Sequence, residues 1–272
     1  MADVRLTPLE SELVRAFQQA KCSPPCWAKQ FPPPIPLVGP AYVPGHGLMV
    51  YASAENLTWM RPAKQAGSSR GESFHGDTAR VRHQHQYQNP ELQDRRFFPD
   101  VGMAPVNNGG LLCAAWFVLH HCHGTAPSSP AELLRNMAVA NWCKFAVNAG
   151  QNVDYAGDLR KLRSSVRLVE IELAVLRPKI LIMPKTILRH GEVGEAMRGA
   201  SPETRIVGVV QFNATVVNTH LDQPEFNAGA AELRSRYAST PLAAWMSKLR
   251  RVNRDHAWRF LAHLAEELRP AR

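Results

Sequence analysis

The chain has 272 residues, of which 45% are hydrophobic, so it can bury a full core and is not disordered throughout. One elaborated domain is favoured over two at this length. Lysine and arginine total 32 and the acidic residues 23, which gives a formal net charge of +9. That excess fits a polyanionic partner, most simply nucleic acid, although a merely basic soluble protein is an equal alternative.

Composition also argues against a membrane protein and a metalloprotein. No apolar run is long enough to span a membrane, and the N-terminus lacks the apolar core of a signal peptide, so a cytoplasmic protein without membrane contact is expected. The five cysteines are odd in number and lie mostly in apolar sequence, which suits reduced thiols. Residues 120–123 read His-His-Cys-His, but adjacent side chains at a helix end point in different directions. No metal and no cofactor is therefore predicted.

The chain begins with an amphipathic helix over residues 7–20, in which Thr7 is the N-cap and Pro8 the first helical residue. Its apolar residues are spaced to face inward: Leu9, Leu13, Val14 and Phe17. The proline-rich segment 21–47 cannot be a helix. Its large apolar residues need burial, which favours an ordered extended wrap over a flexible linker.

Residues 48–52 predict the first clear strand, which runs directly into a polar cluster at 53–58. This cluster contains Ser53, Glu55 and Asn56. An ordinary strand-to-helix turn, capped by Ser53 or Asn56, would explain these residues without any function. A functional role is favoured, because a second strand also delivers a polar group to the same edge of the predicted sheet.

Residues 61–100 differ in composition from the rest of the chain. They are polar, poor in aliphatic residues and rich in Arg, His and Gln, with Phe and Tyr interspersed. Such a mixture suits a nucleic-acid surface, where Arg contacts phosphate and aromatic rings stack on bases, and equally suits a solvated insertion. Arg95, Arg96 and Phe98 are the candidates in this segment. A turn at 105–110 then leads into an apolar helix over 111–119.

The central segment predicts a strand, a crossover helix and a second strand. The first strand covers 137–147 and is interrupted by Asn141 and Lys144, and the second covers 179–183. The helix from Asp158 onward places most of its charged residues, Glu172 among them, on its outer face. Its inner face is apolar: Leu159, Leu162, Val166, Val169, Leu173 and Leu176. Such a βαβ unit implies a parallel sheet with ligands at the carboxyl ends of its strands, which makes Asn141 a site candidate.

The remaining sequence predicts a helix over 187–197, a strand over 205–210 and an alternating segment 211–222 that delivers His220 near its end. A lone histidine is usually structural, but a role is favoured for this one because the other candidates gather at the same strand ends. Residues 228–272 predict helices interrupted around 239–241, with apolar residues inward and cations outward. The chain contains no glycine-rich loop of the phosphate-binding type.

In the order and pattern of these elements, residues 48–220 resemble the uracil-DNA glycosylase superfamily. Val139-Ala-Asn-Trp-Cys-Lys-Phe145 is similar to the strand that carries the base-reading asparagine, particularly in the single-strand-selective branch. The following helix and Leu176-Arg-Pro-Lys-Ile-Leu-Ile182 resemble the family's crossover. Met103-Ala-Pro-Val-Asn-Asn-Gly-Gly-Leu-Leu112 resembles the glycine turn after the stacking aromatic. Val217-Asn-Thr-His-Leu221 lies where the family carries its second catalytic motif.

The resemblance implies a three-layer α/β/α fold with a central, mostly parallel four-stranded sheet. Residues 1–272 would form a single domain, with 61–100 as an insertion and 228–272 as a C-terminal helical extension. A monomeric DNA glycosylase is expected, which hydrolyses the N-glycosidic bond of a flipped-out pyrimidine. The implied roles are catalytic for Glu55, Asn56 and His220, base-binding for Ser53, Phe98 and Asn141, and DNA-binding for Lys144, Arg95 and Arg96.

Both catalytic motifs depart from the family pattern. The first, Ala52-Ser-Ala-Glu-Asn-Leu57, lacks a proline, and the second has Leu221 and Asp222 where proline and serine are usual. These departures favour an unusual target, such as a bulky modified cytosine of phage DNA, over ordinary uracil. Two alternatives stay open: a catalytically silent nucleic-acid-binding module on the same fold, and a hydrolase of small nucleosides or nucleotides.

Overall fold

A computed structural model of the chain describes residues 6–23, 25, 35–54, 106–144, 159–209, 224–248 and 254–269. Over these ranges the protein has a mixed five-stranded sheet and several helices, which confirms the predicted α/β class. The chain groups into two compact units, Met1–Asn89 with Asn136–Ile206 and Pro90–Arg135 with Val207–Arg272. The single domain over 1–272 stays a prediction, and the 61–100 insertion lies outside the described ranges.

Helices and strands alternate along much of the chain. In order they are α1 (Pro8–Ala20), β1 (Leu37–Val38), β2 (Leu48–Ala54), α2 (Val106–His123), α3 (Pro130–Arg135), β3 (Met137–Cys143), α4 (Leu159–Leu176), β4 (Ile180–Pro184), α5 (Lys185–Leu188), α6 (Gly191–Ala200), β5 (Arg205–Val209), α7 (Asn227–Arg236), α8 (Pro241–Lys248) and α9 (Arg254–Glu267).

The sheet has the strand order β1-β3-β2-β4-β5. β2 is parallel to both β3 and β4, whereas β1 is antiparallel to β3. The predicted four-stranded sheet is therefore wrong by one strand, and the extra strand is β1, from the proline-rich segment. Pro36 and Pro40 flank its two residues, and a strand that short has no alternation by which its sequence could reveal it.

A capping box fixes the first turn of α1. Thr7 Oγ1 accepts the backbone N–H of Glu10 at 3.2 Å, and Glu10 Oε2 accepts the N–H of Thr7 at 2.8 Å. Glu10 is fully buried, and its other oxygen, Oε1, accepts the N–H of Val38 in β1 at 3.2 Å. One carboxylate therefore joins the start of α1 to the edge strand of the sheet. The structure confirms the predicted N-cap and the inward residues Leu13, Val14 and Phe17.

We expect Glu10→Gln to lower the free energy of unfolding by about 1.5–3 kcal/mol, the range for a hydrogen bond to a charged group. The glutamine amide retains one acceptor oxygen, but its NH₂ group would face a backbone N–H that needs an acceptor. Urea denaturation measures the loss. Thr7→Ser is the matched control and should stay close to wild type, because serine keeps the capping hydroxyl. A Glu10→Gln protein of wild-type stability would show that the carboxylate is dispensable.

α4 packs its inner face on the core of the first unit. Four predicted inward residues are buried: Leu162, Val169, Leu173 and Leu176. One predicted placement is wrong, because Glu172 is fully buried instead of facing outward. Ser165 and Leu168 are buried as well. Residues 165, 168 and 172 are three and four apart and lie along one side of the predicted apolar stripe. The buried face of α4 is therefore broader than that stripe.

Two other predicted boundaries change. α2 begins at Val106, so residues 106–110, expected to form a turn, are helical. The apolar helix that follows extends back through them even though two glycines there have low helix propensity. The helix predicted over 187–197 is divided into α5 and α6, with His190 as the N-cap of the second.

The second unit is built mainly of helices. α7, α8 and α9 confirm the predicted C-terminal helices and their interruption around 239–241. Their predicted inward residues are buried: Leu233, Leu242, Trp245, Met246, Trp258, Leu261 and Leu264. Trp116 and Phe117 of α2 pack edge-on against Tyr237, with ring centres 5.8 and 5.7 Å away. No helix in the described part of the chain is both long and apolar enough to cross a membrane.

Candidate functional site

Two parallel strands bring their carboxyl ends to one edge of the sheet. Ala52 of β2 lies opposite Asn141 of β3, and Ala54 lies opposite Cys143. Because parallel strands run in the same direction, the residues at the ends of β2 and β3 meet at the same edge. This is the edge at which the sequence predicts the site. The register places the backbone of Ser53, one residue beyond Ala52, beside the strand that carries Asn141.

Asn141 is a polar residue within a strand of buried, mostly apolar residues. Its side chain is 2% exposed, and every residue of β3 is buried. Neither Oδ1 nor Nδ2 of its amide has a hydrogen-bond partner among the residues that the structure describes. A buried amide without partners costs about 1–3 kcal/mol. Such groups are rare, and they mark places where a ligand or a further polar group completes the bonding.

Most of the other predicted site residues lie outside the described ranges: Glu55, Asn56, Arg95, Arg96, Phe98 and His220. The backbone of Ser53 belongs to β2, but its side chain is not among those described. The predicted set therefore contains two residues with described side chains, Asn141 and Lys144. They point to opposite faces of the sheet, because side chains alternate along an extended chain and the two residues are an odd number of positions apart.

Lys144 is buried, whereas a contact with a DNA phosphate would require a lysine at the surface. Its side chain is 1% exposed, and Nζ lies 2.5 Å from Oε1 of Glu172, which is fully buried in α4. The ammonium also lies 5.2 Å from the centre of the Tyr51 ring. A buried ammonium is costly unless it is paired, and here a carboxylate and an aromatic face enclose it. The prediction that Lys144 contacts DNA is therefore wrong.

Lys144, Glu172, Tyr51 and Ser165 form one connected group, hereafter the Lys144 network. Tyr51 donates its hydroxyl to Glu172 Oε2 at 2.6 Å, so each oxygen of the carboxylate has its own partner. The backbone N–H of Lys144 donates to Ser165 Oγ at 2.9 Å. The network therefore ties the residue after β3 to α4 through both its main chain and its side chain, and to β2 through Tyr51.

Burial governs the ionisation of this network. It raises the pKa of the Glu172 carboxyl above its ordinary value, and the Lys144 ammonium and the Tyr51 hydroxyl offset part of that rise. Burial, followed by the adjacent Glu172 carboxylate, raises the pKa of the Tyr51 phenol well above its ordinary value. Tyr51 is therefore a neutral hydrogen-bond donor, and Glu172 depends on Lys144 to carry a charge in this core.

The chain matches no protein-family model, no curated protein and no solved structure. The likeness to the uracil-DNA glycosylase superfamily therefore stays a resemblance, and the site is interpreted from its own chemistry.

Tyr51 and Glu172 are members of the network that sequence patterns did not predict. Tyr51 is an unremarkable residue of an apolar strand, and nothing in its neighbours distinguishes it. Glu172 does carry a signal, because it lies four residues after Leu168 and three after Val169, within the buried stripe of its helix. Lys144 interrupts a buried strand in the same way. A lysine in one apolar segment and a glutamate in the apolar stripe of the next helix together indicate a buried ion pair.

The histidines at the end of α2 pack against aromatic residues. The ring of His120 stacks on Trp116 with 5.1 Å between centres, and His121 stacks on Phe117 with 5.4 Å. Nδ1 of His120 also lies 3.3 Å from the Tyr237 hydroxyl. Within the described ranges, no three His, Cys, Asp or Glu side chains form a group able to hold a metal ion.

A groove of about 490 Å³ lies in the second unit, where residues of α7 and α9 line it. Its wall includes Arg234 and Arg259, the latter a cation that the sequence predicts on the outside of the helices. Arg234 pairs with Asp255 at 2.9 Å, and Nε of Arg259 donates to Asn227 Oδ1 at 2.7 Å. These contacts hold both guanidinium groups along the groove wall, so a phosphate there would have to share them with Asp255 and Asn227.

Proposed function

We propose that this protein is a DNA glycosylase, which hydrolyses the N-glycosidic bond of a modified or damaged pyrimidine and leaves an abasic site. The observation that carries the proposal is the Asn141 amide, buried near the carboxyl end of a parallel strand and unpartnered among the described residues. Ligands of parallel sheets bind at this edge. The net charge of +9 supports a polyanionic substrate. The three-layer arrangement of uracil-DNA glycosylase type belongs to the same proposal.

Asn141 has the chemistry to read a pyrimidine that has been flipped out of the helix. A glycosylase reads such a base by hydrogen bonds along its Watson–Crick edge. In one orientation, the amide oxygen accepts from N3–H of uracil and the NH₂ group donates to O4. In the flipped orientation, the oxygen accepts from the exocyclic amine of cytosine and the NH₂ group donates to N3. A uracil-type base and a bulky modified cytosine of phage DNA are therefore the two candidate targets, with a role in repair or in phage defence respectively.

The remaining roles follow from the motifs that resemble the family. Cleavage places positive charge on the sugar and negative charge on the departing base. Glu55 or Asn56 would stabilise the sugar and hold the water that adds to its anomeric carbon. His220 would donate a hydrogen bond to the departing base, a contribution worth several kcal/mol in comparable sites. Other contacts would come from Ser53 and Phe98 on the base and from Arg95 and Arg96 on phosphates. This hydrolysis consumes water and calls for no redox chemistry.

An abasic-site assay tests the proposal. The panel contains DNA with uracil, with deaminated or oxidised bases, and with the modified cytosine of phage genomes. Alkali or an abasic-site endonuclease converts each excised base into a strand break. We expect breaks in one class of DNA, and a rate at least about a hundredfold lower for Asn141→Ala, because that variant loses both hydrogen bonds to the base.

The controls separate the enzyme from its alternatives. Tyr42→Phe removes a buried hydroxyl that donates to the carbonyl of Leu176 at 3.1 Å, and it should leave the excision rate unchanged. Absence of breaks in every DNA, with salt-dependent DNA binding retained, would contradict the enzyme and favour a binding module. If free nucleosides are cleaved faster than any DNA in the panel, the result would instead favour the nucleoside hydrolase.

A further inference from the structure

We infer that the Lys144 network positions Asn141, which makes Lys144, Glu172 and Tyr51 positioning residues of the site at the end of β3. The activity part of this inference rests on the proposed function. Its structural part rests only on the contacts of β3, β2 and α4.

The network fixes the end of the strand that carries Asn141. Lys144 comes directly after β3 and three residues after Asn141, which is about 10 Å of extended chain. Its backbone N–H donates to Ser165 Oγ at 2.9 Å, and its Nζ lies 2.5 Å from Glu172 Oε1. A displacement of the strand end would lengthen both contacts with α4. The end of β3 is therefore held from the face opposite to the Asn141 amide.

β2 is held by the same group. Tyr51 donates to Glu172 Oε2 at 2.6 Å, and its ring packs edge-on against Trp142 with 5.8 Å between centres. Tyr51 lies one residue before Ala52, which is the register partner of Asn141. Glu172 thus connects the middle of β2 with the end of β3, and both strands contribute to the edge where the site is proposed.

Stability alone does not explain a charged group in this core. Replacement of a buried ion pair by apolar residues of similar volume is often neutral or stabilising, because desolvation offsets most of the attraction. Apolar packing also has less directional preference than hydrogen bonds of fixed length. Base reading requires the Asn141 amide to have a fixed orientation, because its two hydrogen bonds must form together at about 2.7–3.2 Å. A displacement of about 1 Å can cost a hundredfold in rate.

The test replaces the network by apolar residues of similar shape, in the variant Tyr51→Phe/Lys144→Met/Glu172→Leu. We expect its urea midpoint to equal or exceed that of wild type. We also expect kcat for base excision to fall roughly ten- to hundredfold while KM for DNA stays the same. Tyr42→Phe is the matched control, because it also removes one buried tyrosine hydroxyl, which donates to the carbonyl of Leu176 and not to Glu172. It should keep the wild-type kcat.

A second measurement does not depend on excision. Selective ¹⁵N labelling of asparagine gives the side-chain NH₂ signals, and the pair from Asn141 is assigned by its absence in Asn141→Asp. We expect one sharp pair in wild type and in Tyr42→Phe, and shifted, broadened or split signals in the triple variant. Should the triple variant fail to fold, Tyr51→Phe alone is measured in the same way.

Either an unchanged pair of Asn141 signals or an unchanged kcat in the folded variant would overturn the inference. If wild-type protein excises no base from any DNA, the proposed function fails, and the NMR signals alone then decide whether the network positions Asn141.

Discussion

We expect Lys144→Met to lower the free energy of unfolding by about 3–5 kcal/mol, because it leaves a buried carboxylate without its cation. Glu172 is fully buried, and Lys144 Nζ lies 2.5 Å from it. Methionine keeps an unbranched side chain of similar length, so packing is largely preserved and the loss reports the charge. Urea unfolding followed by tryptophan fluorescence measures the change.

Two further variants show whether the pair or its packing is responsible. Lys144→Met/Glu172→Leu should recover most of the lost stability, because it removes both charges together. Arg163→Met breaks an exposed pair with Glu192, at 2.8 Å, whose side chains are 58% and 41% exposed. That substitution should lower stability far less than Lys144→Met, because water and salt screen an exposed ion pair. Equal losses for Lys144→Met and Arg163→Met would mean that the buried pair is not formed in solution.

The deficit of Lys144→Met should depend on pH with a defined sign. Burial already raises the pKa of Glu172, and Lys144 is the first group that lowers it. Without Lys144, the pKa of this carboxyl in the folded state rises further above its value in the unfolded chain. Between these two pKa values the folded state keeps a proton that the unfolded state releases, so stability falls as pH rises. The deficit should therefore be smaller at about pH 5 than at about pH 8, and an equal deficit at both would contradict a buried carboxyl.

Helices could be predicted well because their signals are local. Thr7 and Glu10 lie three residues apart and form the capping box that their spacing indicates. Four residues of the predicted α4 stripe, Leu162, Val169, Leu173 and Leu176, are buried as their three-four spacing predicts, and Val166 is half-buried. Each of these features depends on residues within a few turns of one another, so the sequence contains all the information that they need.

The sheet and the network could be predicted only in part, because their contacts join distant residues. Tyr51 and Glu172 are 121 residues apart, and no local pattern pairs them. β1 becomes a strand through pairing with Val139 and Ala138 and not through its own two residues. The charge of Glu172 predicts that it faces outward. It is buried instead, because Lys144, directly after β3, pairs with it.

Asn141 lies between these two cases. Its position in an apolar strand makes it a candidate, and the structure pairs its strand with β2 in parallel, consistent with the parallel sheet that the βαβ pattern implies. The sequence could not show that its amide is 2% exposed and unpartnered within the described ranges. That information depends on which polar groups of other elements reach the strand, and it is the part that bears most directly on function.

We expect Asn141→Leu to raise the free energy of unfolding by about 1–3 kcal/mol and to abolish base excision. Leucine has the same branched outline as asparagine but no polar atoms to desolvate. It therefore removes the cost of burying an amide that no described residue satisfies. Urea unfolding and the abasic-site assay on the same preparation measure the two effects, and a gain in stability with loss of function is the signature of a group kept for a ligand.

Asn141→Asp is the matched control for shape. Its carboxylate fits the same space but would place a charge at a position that is only 2% exposed, so stability should fall instead of rise. A loss of stability in Asn141→Leu as well would show that the folded protein itself satisfies the amide. Base reading would then require the amide to exchange one partner for another. A gain in Asn141→Leu, together with a loss in Asn141→Asp, would identify an amide that the fold leaves unpaired at the carboxyl edge of the sheet, where a flipped base could complete its hydrogen bonds.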